Sequence, residues 1–197
     1  MLAFAAFLLA QAAPLPDGPV PAAPAAATEM PTGTQMVAQI EANDAKLFWA
    51  FFEGCDPDSV ADLVHPDFRM IHDLAGLPLA SGADMIEQSR EQCAAREPGG
   101  ENEGYKNRRL LVPGSRTIEP LGTWGVLEEG HHTFHELRQR PAGAYGPDDP
   151  GGPTWVQTGG GRYLHVWQWM PEEGRFRLLE SLSIDHGPAP QYPPDGT

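Results

Sequence analysis

Residues 161–187, GRYLHVWQWMPEEGRFRLLESLSIDHG, decide how this chain folds. An acidic turn, Pro171-Glu172-Glu173-Gly174, separates two runs of alternating residues, the chemistry of a β-hairpin. On the first run Tyr163, His165, Trp167 and Trp169 share one face, and Leu164, Val166 and Gln168 share the other. Successive side chains of a strand point to opposite sides, so one face is aromatic and carries an imidazole. The second run ends in Ser183-Ile184-Asp185-His186, ahead of Gly187 and a Pro-rich tail over 188–197. A carboxylate next to an imidazole at a strand end, beside a hairpin bearing a second imidazole, is the strongest chemical signal in the sequence.

Upstream of the hairpin, residues 125–137 alternate as a longer strand, with Val126, Glu128, Gly130, His132, Phe134 and Glu136 on one face. Residues 108–118 read as a strand interrupted at Pro113-Gly114, hence bulged or at an edge. Between strand and hairpin, residues 138–160 are rich in Gly and Pro with few apolar anchors. They read as a long loop, either a mobile lid or disordered. No Gly-Lys-Ser/Thr follows its glycines, so it is not a phosphate loop. Residues 67–73 alternate again, with Phe68, Met70 and His72 on one face, and 77–79 fit a short returning strand.

The N-terminal half is helical in pattern. Val37, Ile40, Leu47, Phe48 and Phe51 recur at helical spacing, and Gly54 provides the stop. Asp44 falls inside that stripe. A buried carboxylate costs several kcal/mol unless paired, so Asp44 either meets a donor inside the fold or reaches water. Asp56-Pro57-Asp58-Ser59 opens a second helix, which His65-Pro66 ends. Ser81, with Asp84 three residues on, opens a third, whose inner stripe is Met85, Ile86, Ser89 and Cys93. Helices first and antiparallel strands after them mean an α+β fold, with the helices on one face of a bent sheet.

At 197 residues the chain suits one domain with appendages. Its formal net charge of −14 leaves no basic stripe for phosphates and no attraction to anionic lipid. Nucleic acid and membrane surfaces are therefore not expected partners. Residues 1–13 are almost wholly apolar, too short to span a bilayer, and carry the small-x-small pattern Ala10-Gln11-Ala12. The expectation is an export signal, hence a periplasmic or secreted protein. Residues 14–33 read as a Pro/Ala-rich spacer with nothing to pack. In an oxidising compartment Cys55 and Cys93 fit one disulfide; the alternative is two buried free thiols.

The order of Asp44 in the first helix, Gly54-Cys55-Asp56, the strand-ending His72-Asp73, Gly130-x-His132-x-Phe134, His165-x-Trp167 and Ser183-Ile184-Asp185-His186 resembles the nuclear transport factor two-like superfamily. The likeness is greatest to its exported, SnoaL-like members, and it covers residues 34–187. It departs from them at Ile184, where those members usually carry an aromatic residue. The resemblance implies a single cone-shaped domain, three N-terminal helices packed on a strongly curved, mostly antiparallel sheet, with a deep pocket between them. Relatives include ketosteroid isomerase, scytalone dehydratase and polyketide cyclases, and also non-catalytic binding domains.

In such a cone, alternation makes His72, Arg108, His132, Phe134 and Trp167 candidates for ligand contact. His165 and His186 are the candidate proton carriers, with Asp185 as the carboxylate. Neighbours in a regular strand face opposite ways, so Asp185 orients His186 only at a strand end or bulge; otherwise Asp185 bonds another residue while His186 or His165 faces the pocket. Zinc would require three or four of His72, His132, His165, Asp185 and His186 to converge. No H-x-x-x-H or H-E-x-x-H spacing supports that, and neither metal nor other cofactor is expected. Ser181 and Ser183 lack the glycine frame of a nucleophile elbow, so nucleophilic catalysis is not expected either. The expected function is binding of a small apolar or aromatic ligand in a His-lined pocket. The alternative is a dehydratase, isomerase or cyclase that moves a proton with a pocket histidine and a carboxylate. A homodimer through the open sheet face is the other expected association.

Overall fold

A computed structural model of the chain describes residues 28–188. The expected signal, most of the spacer and the tail beyond Pro188 lie outside the described residues. Helix α1 (Gly33–Phe48) buries Met36, Ile40, Asp44 and Leu47, one residue per turn along a single stripe. A π-helical turn, Trp49–Gly54, continues it and ends at Cys55, whose φ of 47° is left-handed. Helix α2 (Pro57–Leu63) starts where Asp56 accepts the Ser59 N–H, with Pro57 in its first turn. Helix α3 (Gly82–Arg96) starts where Ser81 accepts the Asp84 N–H.

Seven strands form one sheet: β1 (Val64–His72), β2 (Gly76–Leu79), β3 (Asn107–Leu111), β4 (Thr117–Leu121), β5 (Gly125–Arg140), β6 (Gly152–Met170) and β7 (Arg175–Gly187). Their order is β2-β1-β7-β6-β5-β3, and β4 pairs with the first half of β5. All pairings are antiparallel except β1 with β7. The interrupted 108–118 segment is thus two strands on successive stretches of β5, divided at Pro113-Gly114. Helices and inner sheet face enclose a core in which Ile40, Leu47, Val60, Phe68, Trp167, Phe176 and Leu178 are buried. Fully burying each such side chain contributes about 1.5–3 kcal/mol. The fold is α+β, as the order of the elements implied.

Cys55 and Cys93 form a disulfide, with Cα atoms 5.4 Å apart, tying the π-helical turn to α3. Closing this loop stabilises the fold by about 3–4 kcal/mol in the chain-entropy picture. No helix among the described residues is long and apolar enough to cross a membrane.

Two sequence expectations need correction. Most of 138–160 is strand, not loop: Arg138 pairs with Thr154 and Arg140 with Gly152, leaving only residues 141–151 to turn. A two-stranded ladder is made by backbone groups, so Gly- and Pro-rich runs can join it without apolar side chains. Trp155 anchors the ribbon under the Arg108 guanidinium, 4.1 Å from its ring centroid. Asp149, paired with Arg140, accepts the N–H groups of Tyr145 and Gly151 and closes the turn. The end of the expected spacer is also packed. Thr28 donates its N–H to Pro171 O at 3.0 Å and accepts the Trp169 indole N–H at 2.9 Å, while Met30 lies against the core.

Candidate functional site

The inner face of the sheet carries two polar clusters. The first is sealed around His165, while its outer residues Asp44, Arg109 and Arg116 border a cavity. Asp44, 1% exposed, accepts Arg109 Nη1 through both oxygens (3.1 and 3.0 Å) and Arg116 Nη2 at 2.9 Å. Asp44 therefore meets donors inside the fold, one of the two outcomes its place in the helix allowed. Glu128 lies 3.2 Å from Arg116 Nε and accepts Tyr163 O–H (3.2 Å) and the Trp167 indole N–H (2.9 Å). Two carboxylates thus face two guanidinium groups with no net charge left over, the condition under which buried ions persist. Burial pushes Glu128 up, but the His165 ring, the Trp167 N–H and the Arg116 charge outweigh it and hold the group below its ordinary range.

His165 lies between these acids, its Nδ1 3.6 Å from Asp44 Oδ1 and 3.6 Å from Glu128 Oε2. That is beyond hydrogen-bonding distance, and Nδ1 has no hydrogen-bond partner among the described residues. Its ring stacks on Phe48 at 5.2 Å. Arg109 is sandwiched between Phe48 and Tyr163 and donates Nε–H to His132 Nδ1 at 2.9 Å. Burial, then the Arg109 charge, push His132 down to about 2, so its ring is a neutral acceptor. Gly130 matters here: a Cβ would stand 2.8 Å from the Tyr163 hydroxyl, so only glycine lets that ring lie over β5.

The second cluster is partly open. His186 donates its backbone N–H to Asp73 Oδ2 at 3.1 Å, and its ring Nδ1 is 2.6 Å from Asp73 Oδ1. On the far side of the ring, Nε2 meets Ser183 Oγ at 3.1 Å. The His72 ring stacks on His186 at 4.1 Å, and Phe134 lies parallel at 6.4 Å. Burial would raise Asp73, yet the bonds and charge from His186 prevail and keep it below the usual carboxylate value. His72 is lowered by burial first and by His186 second. The parallel pairing of β1 and β7 sets His72 opposite Ser183 and brings Asp73 to the end of β7.

His72 opens onto a cavity of about 230 Å3 walled by Phe48, Phe51, Phe52, Phe68, Met85 and Leu178. Gln88 and Ser181 are its other polar points. Phe68, Met70 and His72, placed on one face by alternation, all line it. A second cavity, about 450 Å3, lies between α1 and β3–β4 and is lined by Arg108, Arg109, Arg116, Asp44, Trp49 and Glu53, among others.

The structure distributes the expected site residues among these places. His165, Trp167 and His132 belong to the sealed cluster; His72, His186 and Phe134 to the open one; Arg108 lines the second cavity, its guanidinium over Trp155. Asp185 stands apart. At φ 57° its side chain turns out to Arg162 (2.9 Å), and the carboxylate that holds His186 is Asp73. Sequence reasoning assigned no role to Glu128, Arg109 or Arg116 and discounted Ser183. Glu128 had a signal, its inward position beside Val126; the two arginines had none beyond charge. His72, Asp73 and His186, or Asp44, Glu128 and His165, bring ligating atoms within 4.8 Å of one another, the spacing a cation would need. In the second group the arginines already occupy the carboxylates. In the first, His72 Nδ1 accepts the Leu74 N–H and His186 Nδ1 is bound to Asp73.

No family model and no curated protein matches the sequence. Solved structures do match the fold. A nuclear transport factor 2-like superfamily protein from Salmonella enterica superposes on 84% of this chain and 100% of its own, with TM-score 0.54 and 18% identity. Aln2 from a Streptomyces species covers 77% of this chain and 91% of its own, with TM-score 0.55 and 13% identity. LinA covers 79% and 90%, with TM-score 0.53 and 7% identity. At such identities the likeness is one of architecture. This chain has the nuclear transport factor two-like fold.

Proposed function

We propose that the protein is an exported domain that binds a small, largely apolar or aromatic molecule in the cavity beside His72. One observation carries the reading: about 230 Å3 of phenylalanine-walled space with three polar points, Gln88, Ser181 and the His72 imidazole. Cavities of ~150 Å3 lined by apolar side chains hold benzene, so this one suits a substituted ring. An apolar wall with few, placed polar groups is the common form of a small-molecule site. Export accords with the Cys55–Cys93 disulfide and the apolar first thirteen residues.

The second reading, an enzyme of the dehydratase, isomerase or cyclase type, is favoured by the 2.6 Å contact of His186 with Asp73. An imidazole held by a carboxylate is a competent proton carrier.

Ala75 lines the cavity and is exposed, in the turn after β1. Ala75→Trp should block the entrance without touching the core. A panel of one- and two-ring aromatic compounds is screened by thermal shift and fluorescence. Compounds that bind the parent and not Ala75→Trp support the reading. Binding unchanged by Ala75→Trp, or no binder in the panel, counts against it.

A further inference from the structure

We propose that Ser183 is an acyl-accepting nucleophile, activated by His186 and Asp73, for small esters whose apolar group enters the cavity beside His72. The proposal rests on the apolar-ligand reading of that cavity.

Three side chains form an ordered chain of contacts. Asp73 Oδ1 is 2.6 Å from His186 Nδ1, and His186 Nε2 is 3.1 Å from Ser183 Oγ. An ionised carboxylate only accepts, so the hydrogen on Nδ1 is fixed there and Nε2 presents its lone pair to the serine hydroxyl. Acid, imidazole and hydroxyl in that order are recognised by geometry and role rather than by sequence motif.

The backbone has to depart from regular strand geometry to make this chain. Ser183 and His186 are three apart on β7 and would point to opposite faces of a regular strand. Asp185, at φ 57°, and a bulge in the β6–β7 ladder between Gly160 and Arg162 return His186 to the side of Ser183. Gly161 opposite has no side chain there. A Cβ would stand 3.3 Å from the His186 ring. His72 and Phe134, on its two sides, hold the imidazole plane.

A donor for the developing negative charge is also present. His72 lines the cavity, and in the tautomer whose Nδ1 accepts the Leu74 N–H (3.1 Å) its hydrogen is on Nε2; the other tautomer turns Nδ1–H to Asp73 Oδ1, 3.3 Å away. Burial favours the neutral ring, which donates one hydrogen bond without a charge of its own. Ser183 itself is 5% exposed and lies one inward position beyond Ser181, which lines the cavity.

The reaction balances with water as the only co-reactant. Ser183 Oγ bonds to the ester carbonyl carbon as its proton passes to His186 Nε2. The tetrahedral alkoxide, facing His72, collapses and expels the alcohol oxygen, which takes that proton. Water, deprotonated by the same nitrogen, then attacks the acyl-serine and releases the carboxylic acid and Ser183.

The test uses the full chain, a fluorophosphonate probe, and p-nitrophenyl acetate and propionate. Intact mass and peptide mapping should show one phosphonate adduct, on Ser183. It should be absent in Ser183→Ala and formed at least about tenfold more slowly in His186→Gln and Asp73→Asn, the scale of a lost general base. Melting temperatures near the parent's confirm that these variants fold. In parallel, an aromatic compound displaced by Ala75→Trp reports on the cavity. No adduct on Ser183 while that compound still binds overturns the nucleophile and leaves the binding reading standing. No adduct and no bound compound overturn both. An adduct on Ser183 of undiminished rate in His186→Gln overturns the activating chain.

Discussion

The two polar clusters on the inner sheet face are built from the same residue types and do opposite things. Around Asp44 and Glu128 every charge is opposed, aromatic rings close above and below, and His165 is 1% exposed. Around Asp73 the His186 side chain is 13% exposed and a cavity opens beside its neighbour His72, whereas the cavity that borders Asp44, Arg109 and Arg116 does not reach His165. A histidine flanked by carboxylates is therefore not by itself a site. What separates the two is whether the surrounding charges cancel and whether a ligand can reach the ring. The sealed cluster holds α1 to the sheet; the open one is where chemistry can occur.

Removing the acid of each cluster tests that division most strongly. Asp44→Ala would leave Arg109 and Arg116 buried without their shared partner, and stability should fall by about 3–5 kcal/mol. Asp73→Ala should leave the melting temperature near the parent's, because water reaches His186 in its place, while ligand response or esterase activity is lost. Denaturant unfolding of both variants decides it. Comparable losses of stability would show that the open cluster is structural too.

The histidines repeat the contrast at smaller scale. His165→Ala removes a ring stacked on Phe48 and leaves a void between two carboxylates, at a cost of about 1–3 kcal/mol. His186→Ala should cost less and abolish ligand-linked stabilisation. Melting curves with and without a cavity binder separate the cases. A ligand response lost in His165→Ala and kept in His186→Ala would reverse the assignment.

Alternation placed His165 and His186 in one group, and it could not do otherwise. What distinguishes them is long-range: Arg109 and Arg116 reach Asp44 from 65 and 72 residues away, and Asp73 reaches His186 across 113. The last contact depends on the parallel β1–β7 pairing, for which the sequence carries no local mark. Caps at Asp56 and Ser81, the hairpin turn and the inward face of β1 were legible because each is set within a few residues. So was the α+β order of elements. The ribbon at 138–160 was misread because its ladder is made by backbone alone. Asp185 bonds Arg162 instead of His186, as the opposite facing of strand neighbours allows, and its left-handed φ is what turns the side chain outward.

Acid should loosen the sealed cluster first. His132 is held down to about 2 in the folded protein, against an ordinary value of 6.5. The unfolded chain therefore takes up the proton first. Its contribution is fully present above pH 6.5 and is lost as pH falls below it, by up to about 2 kcal/mol between pH 6.5 and pH 5. Glu128, also lowered, adds loss in the same direction below about pH 4.5. Stability measured from pH 8 to 4 should decline along this course. His132→Asn, which can still accept the Arg109 N–H, should flatten the upper part. An unchanged slope in that variant would place the titration elsewhere.

The smallest expected effect concerns the acid that sequence favoured. Asp185 is paired with Arg162 at the surface, its side chain 64% exposed, and solvent screens such a pair. Asn is among the few residues that tolerate a left-handed φ, so Asp185→Asn keeps the backbone that aims His186 while removing the charge. The variant should melt with the parent, bind the same aromatic compounds, and leave the His186 ring resonances in place by NMR. Asp73→Asn should shift those resonances, because it alone alters the bond to Nδ1. Should Asp185→Asn move them as far as Asp73→Asn does, then Asp185 takes part in holding the ring, and the open cluster is wider than His72, Asp73, Phe134, Ser183 and His186.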